Sequence, residues 1–302
     1  MKFKKLVIFC ITAIVLSCSS DNNGDDFKET ENTNFRLTSV QFLTDQALSA
    51  VSIRPTHSIN YKYDLSNKIS QISTNGSVYS VDIISNNLFE LNLLEHDLGD
   101  EYTITIKRSI HLQNNHVEYI KSESELFNSR KNTLNYYTDS ISYTYVDSYI
   151  SKIESYSKKL SKYELKRKYE YQIKNGNVLK IIDTYVGIKN IRNFNYDNKT
   201  KVDFSEFAYR TPLYPENFLD YILIHDKMGK QNINNVSSVF CTYDEDYLKA
   251  PQIESVEYAH IFSTNGKIKN IEMSGTVIYS KDNTNYPKSF SNVRTSMVYE
   301  KY

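Results

Sequence analysis

Aromatic and aliphatic residues alternate with polar ones along most of this chain, and the alternation is broken at intervals by short polar turns. "YKYDLSNKISQI" (Tyr61–Ile72) shows the unit: two aromatics on alternate positions, a polar reversal, then an aliphatic restart. Four segments repeat it: "YTYVDSYISKI" (Tyr143–Ile153), "YEYQIKNGNVLKI" (Tyr169–Ile181), "FNYDNKTKVDF" (Phe194–Phe204) and "YAHIFSTNGKIKNI" (Tyr258–Ile271). Residues two apart share one face of a strand. Asn and Gly in the reversals tolerate the left-handed backbone of tight hairpin turns. Each segment therefore predicts a β-hairpin. Their first residues lie 82, 26, 25 and 64 residues apart, so the pattern is not a strict solenoid.

The segment "EYTITIKRSIHL" extends the signal, with Tyr102, Ile104 and Ile106 on one face and Thr103, Thr105 and Lys107 on the other, and "VRTSMVYEKY" closes the chain in the same way. The predicted fold is mainly β: a large antiparallel meander of repeated hairpins, an open or partly closed barrel-like sheet. One stretch has a helical period instead. In "LYPENFLDYILIHDKMGK", Phe218, Leu219, Ile222 and Leu223 recur at one-turn spacing between Pro215 and Gly229, which predicts a covering helix near 215–228. The polar run Lys121–Asn132 marks a possible seam, either a linker or a second short helix.

Composition agrees with strands, with 26 Tyr, 14 Phe and only 5 Pro. The amino terminus stands apart. Lys2, Lys4 and Lys5 precede a nearly unbroken apolar run from Leu6 to Leu16, too short for a permanent membrane helix and typical of a secretory signal. The segment Val15–Cys18, "VLSC", resembles the lipobox of bacterial lipoproteins. That resemblance implies cleavage after Ser17 and lipidation of Cys18, giving several acyl chains and stable anchoring. The following "SSDNNGDDFKETENTN" is polar and acidic, a composition that predicts a flexible tether. It also resembles the surface-export signal of Bacteroidota lipoproteins, which implies outer-membrane attachment with outward display. The resulting division is 1–17 signal, 18–33 lipidated cysteine and tether, and 34–302 β-meander domain.

Loss of three lysines with the signal changes 36 basic against 36 acidic residues to 33 against 36, a net charge of −3. Such a balance offers no electrostatic footprint for nucleic acid. With Cys10 removed and Cys18 acylated, Cys241 has no disulfide partner.

The hairpin layout from Tyr61 onward resembles a group of Bacteroidota lipoproteins with a porin-like, partly open β-barrel and, more distantly, the tyrosine-aspartate repeats of bacterial surface proteins. Asp64 and Asp197 match the aspartate of those repeats, whereas Val146, Gln172 and Ile261 replace it. The resemblance implies a fold and an address, not an activity.

Candidate chemistry is sparse. The six histidines include no HExxH pair, and His111 and His116, five apart, fall on opposite strand faces. No G-x-S-x-G, phosphate loop or dinucleotide fingerprint occurs. Cys241 follows Val and Phe as a small buried residue would. The acidic cluster Asp244, Glu245 and Asp246 is the available carboxylate group for a surface hydrolase, yet the chain has no tryptophan to stack on a sugar. "DSI" at Asp139–Ile141 resembles the O-glycosylation acceptor of Bacteroidota exported proteins, with Ser140 as acceptor. Tyr61, Tyr63, Tyr143, Tyr145, Tyr169 and Tyr171 form the candidate ligand surface, because tyrosine joins apolar area to a hydrogen-bonding tip. Alternatively their rings pair across strands and hold the meander together, at about 0.2–1 kcal/mol per pair. The sequence thus predicts a lipid-anchored cell-surface protein, a non-catalytic binding or structural module with no cofactor, contacting the membrane through its lipid and a possible glycan or protein ligand. The alternative is a carbohydrate-binding accessory protein or hydrolase of a nutrient-uptake system.

Overall fold

In the computed structural model, sixteen antiparallel strands close into a barrel in which each strand pairs with its sequence neighbours and β1 pairs with β16. The structure describes residues 35–43, 56–74, 76–96, 102–159, 161–200, 221–245, 248, 252–279 and 288–302. The signal segment, Cys18 and the tether lie outside the described residues. The first half comprises β1 (Phe35–Leu43), β2 (Thr56–Tyr63), β3 (Ile69–Thr74), β4 (Ser77–Ser85), β5 (Leu88–His96), β6 (Tyr102–Gln113), β7 (His116–Asn128) and β8 (Thr133–Val146). The second comprises β9 (Tyr149–Lys159), β10 (Lys162–Lys174), β11 (Asn177–Tyr185), β12 (Ile188–Thr200), β13 (Asn234–Thr242), β14 (Gln252–Phe262), β15 (Ile268–Ile278) and β16 (Lys288–Lys301).

Turn chemistry explains much of this path. Asn67, Asp147, Ser148, Asn175, Gly176 and Gly266 all have positive φ, as the reversals of four predicted hairpins require. In the first of them, Asp64 N donates to Lys68 O at 2.8 Å and Asn67 N to Asp64 O at 3.0 Å. The Phe194–Phe204 segment differs from expectation. It forms strand through "DNKT", because β12 continues to pair with β13 as far as Thr200 opposite Asn234. Residues 201–204 lie outside the described residues. The polar run Lys121–Asn128 is likewise strand, paired with β6 and β8, and 129–132 form the β7–β8 turn.

Phe35 pairs with Lys301, so chain entry and exit share one end of the barrel, here the terminal end. The turns at 64–68, 86–87, 114–115, 147–148, 175–176 and 263–267 lie at that end too. A short helix α1 (Tyr221–Ile224) and a 3-10 turn (His225–Lys227) also lie on this side, between β12 and β13. They occupy the later part of the predicted helix; residues 215–220 lie outside the described residues. Tyr221, Ile222, Ile224 and Met228 are buried in the core. The segment is stitched to neighbouring turns by Lys230 N to Ser148 O, 2.7 Å, and Val178 N to Asn232 Oδ1, 2.8 Å.

Gly229, at φ +77°, makes this docking possible, since a Cβ there would collide with the Ser148 carbonyl oxygen. Gly229→Ala is therefore expected to lose about 2–3 kcal/mol, combining left-handed strain with displacement of the covering segment. The urea midpoint should fall at unchanged slope.

The two faces of the wall differ sharply. Inward residues such as Leu37, Ile59, Ile72, Leu91, Ile110, Ile153 and Ile181 are at most 1% exposed and belong to one apolar cluster, which Tyr258 of β14 packs against. Val256 of β14 packs in a smaller cluster with Val277, Phe290 and Val293. Outward positions are mostly polar, with Phe240, Leu179 and Leu94 among the exceptions. On β9 and β10, Lys152 stands opposite Glu170 and Glu154 opposite Lys168, a checkerboard with ion pairs Lys152–Glu154 at 2.9 Å and Lys168–Glu170 at 2.8 Å. Lys107 pairs with Glu90 at 2.8 Å on the neighbouring arc. A sixteen-strand barrel with a polar interior leaves a water channel. Here the terminal half of the lumen is filled with hydrocarbon and aromatic side chains instead.

Candidate functional site

Toward the distal end the inner wall of β10–β12 changes from apolar to charged. Strand alternation sets the positions: Tyr171, Tyr169 and Arg167 share the inward face of β10, Ile181, Asp183 and Tyr185 that of β11, and Phe194, Arg192 and Asn190 that of β12. Register then aligns Tyr169, Asp183 and Asn190 across three strands, with Arg192 opposite both Ile181 and Cys241.

Asp183 is fully buried. Arg167 grips it in a fork, Nε to Oδ1 at 2.8 Å and the second guanidinium nitrogen to Oδ2 at 2.6 Å, and Arg192 donates to Oδ2 at 2.9 Å. Bidentate charge-assisted bonds of this kind offset the large desolvation penalty of a buried carboxylate. The Tyr169 ring lies beneath both cations, 5.1 Å from the Arg167 guanidinium carbon and 5.9 Å from that of Arg192. Arg167 also lies 5.9 Å from the ring of Tyr185, which is 44% exposed at the distal side. The cluster thus runs from a sealed carboxylate to a solvent-facing ring.

Asn190 sits opposite Asp183, 1% exposed, and among the described residues neither its amide nitrogen nor its oxygen has a hydrogen-bond partner. Leaving such a group unpaired in the interior costs about 1–3 kcal/mol. Cys241 borders the cluster. Burial pushes its thiol up, opposed by the Arg192 charge and a bond with Tyr243. A protonated, enclosed thiol is a poor nucleophile. Burial likewise raises Tyr171 and Tyr258, and pushes Tyr63 up to about 12.

All six candidate tyrosines lie on the inner side of the wall, in two separate sets. Tyr61, Tyr143, Tyr169 and Tyr171 are buried in the core, and Tyr63 and Tyr145 pack against it. The Tyr63 hydroxyl donates to Leu37 O at 2.6 Å and that of Tyr145 to Val117 O at 2.9 Å, linking neighbouring strands. His111 stacks on Tyr119 at 4.2 Å, and His116 lies against Tyr145. No group of metal-ligating side chains occurs among the described residues. Asp244 and Glu245 are exposed beyond β13, and Asp246 lies outside the described residues. Ser140 lies within β8, opposite Lys121 and Tyr156.

A separate depression of about 530 Å³ in the wall of β14–β16 is lined by Glu257, Glu272 and Arg294 among others. Both carboxylates are exposed there. They lack the enclosed surroundings that fit a carboxyl to act as general acid.

Sequence reading did not single out Arg167, Asp183, Asn190 or Arg192. The available signal was a charged residue on the apolar face of a predicted strand: Arg167 continues the Tyr169–Tyr171 face, and Asp183 follows Ile181.

No family model and no curated protein matches this sequence. Its fold is shared with solved structures. A porin-like protein from Bacteroides uniformis superposes with a TM-score of 0.56 at 11% identity, covering 87% of this chain and 98% of the other. A second porin-like protein, from Bacteroides vulgatus, gives 0.53 at 13% identity with the same coverage. This chain therefore has a porin-like antiparallel barrel fold.

Proposed function

We propose that this protein is a lipid-anchored, non-catalytic module of the outer membrane, displayed outward, whose barrel presents an interior site to a glycan or protein ligand. The charged outer wall carries the reading. A lysine or arginine on the lipid-facing side of a transmembrane barrel costs about 2–4 kcal/mol near the bilayer midplane. This wall bears Lys107 with Glu90 on β5–β6 and Lys152 and Lys168 with their acidic partners on β9–β10. It is built for water, so attachment must come from outside the barrel.

Cys18 supplies that attachment. β1 begins at the terminal end, so in this reading the lipid on Cys18 is joined to that end, and Tyr185 and Arg167 stand at the opposite mouth. The interior cluster is the ligand site in this account. Its buried thiol and tightly paired carboxylate favour binding over catalysis. The depression holding Glu257 and Glu272 is the feature that favours the second reading, and it favours a carbohydrate-binding accessory protein rather than a hydrolase.

Growth of cells with labelled palmitate tests the anchor. The wild-type chain should take up label, and Cys18→Ala should take up none and leave the membrane fraction. A labelled Cys18→Ala protein would refute lipidation at this cysteine.

A further inference from the structure

We infer that the terminal rim of the barrel is itself a lipid-contacting surface that seats the protein upright on the membrane. The inference rests on lipidation at Cys18 and adds a second, non-covalent contact. Six exposed apolar side chains from separate elements stand at this end: Leu65, Ile84, Val146, Ile233, Phe262 and Val298. They come from the β2–β3 turn, the last residues of β4, β8 and β14, the approach to β13, and the end of β16. Leu65, at the tip of its turn, is fully exposed at 109%.

Single exposed apolar residues are ordinary, but these recur around one rim while the wall beyond them is charged. The chemistry at the two ends also differs. Exposed large side chains toward the distal end include the tyrosines Tyr102, Tyr136, Tyr137, Tyr163 and Tyr185 beside Leu94, Leu134, Leu165, Val186 and Phe240, whereas toward the terminal end the exposed set is aliphatic apart from Phe262 and Tyr302. Aliphatic side chains enter the acyl boundary without carrying a polar group with them.

Two further observations identify lipid as the occupant. Phe35 starts β1 at this end, and Cys18 lies only 17 residues upstream of it in sequence. Even fully extended, 17 residues span at most about 60 Å, so acylation at Cys18 would tether this end of the barrel to the bilayer. Lys68, Lys174, Lys230 and Lys301 are exposed at the same end, positioned for anionic headgroups. Of the acids beside them, Asp226 and Glu300 are already paired with Lys227 and Arg36. Asp64 and Asp147 stay on the rim, and Asp64 is engaged by the amides of Ser66 and Lys68.

The test uses the full lipidated chain in vesicles of phosphatidylethanolamine and phosphatidylglycerol with brominated acyl chains. An environment-sensitive fluorophore is placed at Leu65→Cys, and at Leu134→Cys on the distal end as the comparison. The Leu65 probe should be quenched at least threefold more than the Leu134 probe. Flotation of the protein with an unquenched Leu65 probe would overturn the rim contact and leave the anchor standing. Equal quenching at both sites would also overturn it. A protein that fails to float would overturn the anchor, and this inference with it. A Leu65 probe that shifts without vesicles as protein concentration rises would assign the rim to a second copy of the chain instead.

Discussion

Asp183→Asn is expected to destabilise the barrel by about 3 kcal/mol, because it removes the carboxylate charge held between two inward-facing arginines. Breaking a buried ion pair by deleting one partner typically costs about 3–5 kcal/mol, since the remaining charge stays desolvated. The lower part of that range applies because the Arg167 side chain is 24% exposed and gains some hydration. The melting temperature should fall by roughly 6 °C for a domain of this size. A triple replacement, Arg167→Met, Asp183→Leu and Arg192→Met, should recover most of that loss, as apolar isosteres of buried ionic groups often do. If the triple variant is as stable as wild type but no longer binds a ligand that wild type binds, the triad belongs to recognition rather than to folding. Asp183→Asn with unchanged stability would contradict the fork geometry.

Tyr169→Ala should lose about 4 kcal/mol. Its ring is fully buried and lies beneath two guanidinium groups, so truncation opens a large cavity and removes two cation–π contacts. Tyr136→Ala is the control: that ring is 67% exposed, and its removal should stay within about 0.5 kcal/mol. Chemical denaturation of the two variants checks both numbers. Equal effects would mean that Tyr169 does not hold the inner wall together, and the distinction between core and rim tyrosines would fail.

The hairpin architecture was legible because its signals are local. Asn67, Asn175 with Gly176, and Gly266 sit where a positive φ is required, and alternation beside each turn set the inward face. Closure was not legible, since it depends on pairing Phe35 with Lys301 across the whole chain. "DNKT" reads as a reversal by composition, yet β12 runs through it because β13 offers a ladder partner at Asn234. A tertiary partner overrode a local preference.

The interior cluster was the least legible part. Its residues lie on three strands, and only register brings Arg167, Asp183 and Arg192 together. The six tyrosines read in the sequence as a repeating feature of one face, and all six lie in or against the inner core. That this face is the barrel's inside follows from the wall's charge distribution, which no single hairpin reveals.

The most direct test is to produce the chain from Ser19, without signal or lipid, in buffer free of detergent, and to measure its mass in solution and its circular dichroism. The account predicts a soluble β-rich monomer that melts cooperatively, because the outer wall is made for water. A protein that aggregates without detergent and folds only in micelles would contradict it, placing the wall in lipid.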